Sequence, residues 1–513
     1  MKTLQQPESR RQFLADVGKG MITAAVGYGM ATELGLAAAA AEEPTHRLEF
    51  GVLEPLVRLM QETPASKLLP ILTERIRSGT ELRELVAAGA LANARTFGGE
   101  DYVGFHTMMA LAPSYHMAQE LPTDQRALPV FKVLYRNTNR IQESGGGSRE
   151  VLYPVSEQGP DCRPFRDLIH ERDAARADAA FAAAADLNVD NAFDALLQAV
   201  EEDTEVHRVV LPYRAWDLLG IIGREHATTL LRQSVRYCVR AEQWRKEQAS
   251  ALLPRVLEEY KLLDAVPGMR QADDAWVEEL SRTIFKSTPE QAASAAAYAL
   301  AEGMLPDTIG EAISLATNQL ILRDQGRRPA EEVSGKPIGS VHGDSIGVHA
   351  SDSANAWRNL ARVARPRNTF ACLILGAYQA ALDRTNRGGD FANWQPLPLT
   401  RHVEEVKPTD LGGLIGELET AIRGNLQARA MGVVQRIGDL GHDSKAVMDV
   451  LRGYAISEDG ALHGEKFYRT VSEESALSRP AFKWRYLCAL ARVTASEYGR
   501  PAPGVAEARE LLK

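Results

Sequence analysis

"HASDSANAWRNLARVARPRNTFACLILGAY", residues 349–378, decides how the chain is read. It opens on a histidine, continues as a helix-forming stretch, breaks at Arg365-Pro366, and resumes as a second apolar helix ending on Tyr378. Proline fits the first turn of a new helix, because its missing N–H is unpaired there anyway. The segment therefore predicts helix, short turn, helix.

Three other stretches follow the same plan. "HTMMALAPSYHMAQEL" starts at His106 and is followed by "LPVFKVLY". "HRVVLPYRAWDLLGII" starts at His207 and is followed by "TTLLRQSVRY". "HGEKFYRTVSEESALSRPAFKWRYLCAL" starts at His463. An aromatic follows the first three histidines at similar distance: Tyr115, Trp216 and Trp357. Tyr135, Tyr237 and Tyr378 close the second helices, and Arg479-Pro480 stands at the same offset from His463 as Arg365-Pro366 from His349. Such recurrence reads as one duplicated supersecondary unit.

The rest of the chain agrees. In "DLGGLIGELETAIRGN", Leu411, Leu414, Ile415, Leu418 and Ile422 share one helical face between a capping Asp410 and Gly424. Thr288, Pro289 and Gln291 form a capping-box start. "TELRELVAAGALANA" and "DNAFDALLQAVEED" behave alike, and no series of alternating strands appears. The expected fold is all-α, with repeated helix pairs packed as a compact array or α-solenoid-like bundle. "LLDAVPGMRQADD" marks a seam between an N-terminal half, 42–265, and a C-terminal half, 275–513.

Composition bounds the function. The 513 residues are 45% hydrophobic and 25% charged, with a net charge of −9, which argues against a broad nucleic-acid footprint. Beyond the N-terminus no apolar run is long enough for a membrane span. The first 41 residues carry Arg10-Arg11, then Phe13-Leu14, a weakly apolar stretch and a run of alanines. They resemble a twin-arginine (Tat) export signal, although Ala15 and Asp16 stand where a lysine is usual. The resemblance implies the Tat machinery as a partner and a periplasmic or extracellular address. Of Cys162, Cys238, Cys372 and Cys488, none forms a CxxC pair, and three lie in apolar helical stretches that favour burial as small hydrophobes.

Chemistry is sought first in "GDSIG", 343–347, which fits the G-x-S-x-G pattern of a nucleophile elbow. That turn needs a buried strand before it, and "RRPAEEVSGKPIGSVH" is not one. A loop whose Asp344 or Ser345 caps the next helix fits better. The histidines are stronger candidates. If the four units pack around one axis, His106, His207, His349 and His463 converge, and neutral imidazole is a frequent transition-metal ligand. Glu100, Asp101, Asp203, Glu205, Asp344 and Glu465 stand near them to complete or orient the shell. Against this, a single buried histidine is more often a satisfied core or helix-end residue. Tyr115, Trp216 and Trp357 are expected as core packing, and Arg365, Arg367 and Arg479 as partners of acidic neighbours.

"VHGDSIGVHASDSANAWRNLARV", "NTFACLILGAYQAA" and "FHTMMALAPSYHMAQEL" are also similar to questin-oxidase-like proteins, all-α proteins that include oxygenases of the Baeyer–Villiger type. That resemblance implies roles for His106, His116, His342 and His349. The expectation is thus an exported all-α protein with a histidine-lined cavity, a metal-dependent or oxygen-using oxidoreductase. The alternative is a non-catalytic helical scaffold or binding protein of the cell envelope.

Overall fold

The computed structural model describes residues 47–155, 164–386 and 389–513. The candidate export signal, 1–41, and Cys162 lie outside the described residues. Leu48–Lys513 form one compact unit. Among the described residues the regular structure is helical throughout, with 23 α-helices, no strand and only isolated bridges such as Glu458 with Pro501.

The four expected helix pairs are present. They are α1 (Tyr102–Gln119) and α2 (Ala127–Glu143), α3 (Val206–Ile222) and α4 (Ala227–Ala241), α5 (Ile346–Val363) and α6 (Pro366–Asn386), and α7 (His463–Leu477) and α8 (Pro480–Glu497). Each second helix packs back on its first. The four first helices pack in a closed ring: α1 on α3, α3 on α5, α5 on α7, and α7 on α1. The array is therefore closed on itself, not an open solenoid.

The inner helices owe their place to their apolar surface. In α1 every residue from Gly104 to Ser114 is buried, and in α3 every residue from His207 to Ala215. A helix that is buried on all sides belongs in the centre. Their starts are set locally. Asp101 accepts from the Gly104 N–H at the start of α1, and Glu205 accepts from the His207 and Arg208 N–H groups at the start of α3. Pro366 and Pro480 open α6 and α8, as the Arg-Pro steps predicted.

The ring helices run parallel. His116 of α1 meets Asp217 of α3 at 3.0 Å, each ten positions past its own helix's histidine. Arg214 of α3 reaches Thr470 of α7 at 3.4 Å, each seven positions past its histidine. Four parallel helices need four antiparallel returns, and the second helix of each pair supplies one. The expected seam is an irregular stretch between the helices Glu247–Glu259 and Asp274–Lys286, and each half contributes two pairs to the ring.

Other expectations are met in detail. Asp410 accepts from the Gly413 N–H, and Thr288 and Gln291 form their capping box. Cys238, Cys372 and Cys488 are buried free thiols. No helix among the described residues is long and apolar enough to cross a membrane.

Candidate metal centre

The parallel ring places four histidines at one level. His106 lies in the second turn of α1, while His207, His349 and His463 lie in the first turns of α3, α5 and α7. Their rings form a closed circuit. Centroids are 4.9 Å apart for His106–His207, 5.9 Å for His207–His349, 5.3 Å for His349–His463 and 5.2 Å for His463–His106. His106, His207 and His463 are buried, and His349 is half-buried.

The ε nitrogens face inward. His106 Nε2 lies 3.3 Å from His207 Nε2, and His349 Nε2 lies 3.2 Å from His463 Nε2. The δ nitrogens face outward to acceptors. His106 Nδ1 is 2.7 Å from the Tyr102 carbonyl, His463 Nδ1 is 3.1 Å from the Ala461 carbonyl, and His207 Nδ1 is 2.6 Å from Glu205 Oε1. A carbonyl or carboxylate oxygen can only accept, so in each case Nδ1 carries the proton. In a neutral imidazole the other nitrogen is then a bare lone pair.

With both rings neutral, two lone pairs confront each other at the His106–His207 contact. Protonating His106 would relieve this, but its surroundings oppose it. Burial holds His106 and His463 well below the ordinary imidazole range, and the Lys466 ammonium nearby depresses both further. A metal ion bound by both would resolve the confrontation. Nitrogens about 2.0–2.1 Å from a tetrahedral zinc lie about 3.3 Å from one another. Both observed pairs have that spacing. Among the described residues no group of three or more His, Cys, Asp or Glu side chains is placed so as to hold a metal ion together. The two pairs stand at ligand spacing within themselves, and between them the ring centroids are 5.2 and 5.9 Å apart.

Around the rings, Glu205 orients His207, and the Tyr237 hydroxyl donates to the other Glu205 oxygen at 2.7 Å. Burial pushes the Glu205 carboxyl up, but His207 and Tyr237 together hold it well below the usual range. Tyr102 packs on His106 at 4.4 Å between centroids, and Phe105 packs on His207 at 5.0 Å. On the inner side, one turn along α7, Lys466 is fully buried and its ammonium is pushed down to about 8, chiefly by burial.

The other expected shell carboxylates are elsewhere. Glu100 pairs with Arg236, Asp203 accepts from the Lys246 N–H, Asp344 pairs with Lys336 and Arg327, and Glu465 pairs with Lys132. Each lies beside a cation or amide that claims it. His116 and His342, drawn in by the questin-oxidase resemblance, are also outside the ring. His116 pairs with Asp217 further along the bundle. His342 contacts Ser496 Oγ, the Gly335 carbonyl and Arg500. Ser345 is buried and donates to the Val341 carbonyl at 2.7 Å, so its side chain neither caps α5 nor points outward as a nucleophile. A cavity of about 120 Å³ beside it, lined in part by Arg327, Phe391 and Trp394, does not reach the four imidazoles.

The aromatic and arginine readings hold. Trp357 is buried and donates to Gln379, Trp216 stacks on Phe193, Arg479 pairs with Glu311, and Arg367 pairs with Glu201. Tyr237 and Lys466 are the residues the sequence concealed. Tyr237 was visible only as a repeated helix-closing tyrosine. Lys466 could have been found as a lysine one turn past a candidate ligand, on the same helical face.

No family model, no curated protein and no solved structure matches this chain.

Proposed function

We propose that the protein is a metal-dependent enzyme whose centre is held by His106, His207, His349 and His463, and that it acts as an oxidoreductase after export through the twin-arginine pathway. The observation that carries the metal reading is the inward pair of ε nitrogens at 3.3 Å, with both δ nitrogens turned outward onto oxygen acceptors. An all-nitrogen set of neutral imidazoles suits zinc, iron, copper and nickel and disfavours magnesium and calcium, which take oxygen ligands. A redox-active ion there would supply electron transfer or activation of a bound oxidant. The chain's own groups do the positioning: Glu205 and Tyr237 fix His207, and backbone carbonyls fix His106 and His463. The twin-arginine route, which exports folded proteins, supports insertion of the ion before export.

The test is elemental analysis of the mature protein purified from its native compartment. About one transition ion per chain is expected, lost in His349→Ala with helicity by circular dichroism retained. Wild-type protein that retains no metal after exposure to zinc, iron and copper would overturn the reading and favour the envelope scaffold.

A further inference from the structure

The polar residues inside the ring continue beyond the histidines. Lys466 of α7 lies three positions past His463, and Asp352 of α5 three past His349. Both are thus one turn deeper on the faces that carry the imidazoles. Lys466 is 3% exposed and Asp352 2%. Asp352 accepts from Thr470 Oγ1 at 2.8 Å. The charges that act on the Lys466 ammonium are Asp352 and Glu465, which favour it, and Arg214, which disfavours it. Beyond it lies Arg214, also buried, whose Nε and Nη1 form no hydrogen bond and whose Nη1 lies 3.8 Å from Asp217 Oδ2.

A buried ammonium is costly unless it is paired. Its carboxylate neighbours also serve others: Asp352 accepts from Thr470 and Glu465 pairs with Lys132, so they offset Lys466 only in part. The histidines add no negative charge. Glu205 touches the His207 ring, and it also binds Tyr237 and the amides that start α3. A divalent ion on four neutral imidazoles would therefore add two positive charges beside a buried ammonium that Asp352 and Glu465 offset only in part. The starts of four parallel helices lie at the same level, each with the positive end of its dipole. Anion binding is the physical answer to such a field.

We propose that the four-histidine centre and Lys466 form one anion site, in which a small monoanion with an oxygen or nitrogen donor binds the metal and accepts a hydrogen bond from the Lys466 ammonium. This rests on the metal reading above. It makes the substrate, or the group by which the substrate binds, anionic at the donor atom. Lys466 is then a binding residue and Arg214 reinforces the field behind it.

The experiment uses the mature chain loaded with cobalt(II), with azide as the probe. Azide binding is followed through the visible spectrum of the cobalt centre, and metal content is measured separately. The expected result is saturable azide binding, weakened about tenfold or more in Lys466→Met and largely kept in Lys466→Arg, with cobalt content near that of wild type in both. Wild-type protein that holds cobalt but shows no azide-dependent spectrum overturns the proposal and leaves the metal reading standing. So does a Lys466→Met variant that holds cobalt and binds azide as tightly as wild type. If Lys466→Met does not fold, Lys466→Gln serves, and azide affinity equal to wild type in it overturns the proposal. A wild-type chain that takes up no cobalt overturns both readings.

Discussion

At the residue scale, Glu205 shows how one side chain joins folding to chemistry. One carboxylate accepts two amides that start α3, fixes the tautomer of His207, and takes the Tyr237 hydroxyl. Removing the charge while keeping the shape should mainly affect the metal. Glu205→Gln is expected to weaken metal affinity about 10–100-fold, read by competition with a chromophoric chelator. An unchanged affinity would mean that His207 is not a ligand. His342 makes a contrasting case, because it titrates without joining the ring. Burial, with Arg500 against it, pushes its imidazole down to about 4. As pH falls below about 6.5 the unfolded chain takes up this proton and the folded chain does not, so stability is lost between about 6.5 and 4. The loss from this group is on the order of 3 kcal/mol. Urea titrations at the two ends of that window should show a smaller acid loss in His342→Asn than in wild type.

At the scale of elements, the glycines of 343–347 prove to be packing devices. Gly343 adopts φ +67°, a left-handed conformation that side chains rarely take. A Cβ on Gly347 would lie 2.8 Å from the backbone nitrogen of Ile321 in the helix Pro306–Arg323. Backbone cannot move aside as a side-chain tip can. Gly347→Ala should push α5 away from that helix, costing about 1–3 kcal/mol and displacing His349 two residues on. Thermal melts and metal content should therefore fall together, and a melt unaltered in this variant would contradict the close approach. The N-terminal element carries its own prediction. Replacing Arg10 and Arg11 with Lys should hold the protein in the cytoplasm, read by fractionation, and undiminished export would rule out the twin-arginine route.

At the scale of the whole molecule, the ring joins helices from both halves of the chain at a single point. A metal there binds the folded state and not the dispersed ligands, so it stabilises by mass action, about 2.7 kcal/mol at a hundredfold excess over its dissociation constant. Stripping the ion with a strong chelator should lower the melting temperature by several degrees and re-addition should restore it. A scaffold without metal would melt identically in both states.

Much of this was legible in the sequence because it is local. Helix starts at Asp410 and Thr288, proline breaks at Arg365-Pro366 and Arg479-Pro480, and the recurrence of histidine-headed pairs depend on neighbours within a few residues. The same recurrence indicated which four histidines were equivalent. What the sequence could not decide was closure. Whether the pairs stack open or turn back on themselves depends on contacts such as α7 on α1, between residues more than three hundred positions apart. The partners of the charged residues were hidden for the same reason. Glu100, Asp203 and Asp344 lie within six residues of a ring histidine in sequence, as Glu205 does, but each meets Arg236, Lys246 or Arg327 in space. A carboxylate goes to whichever donor the packed helices bring within hydrogen-bond reach, and only the tertiary structure brings them there.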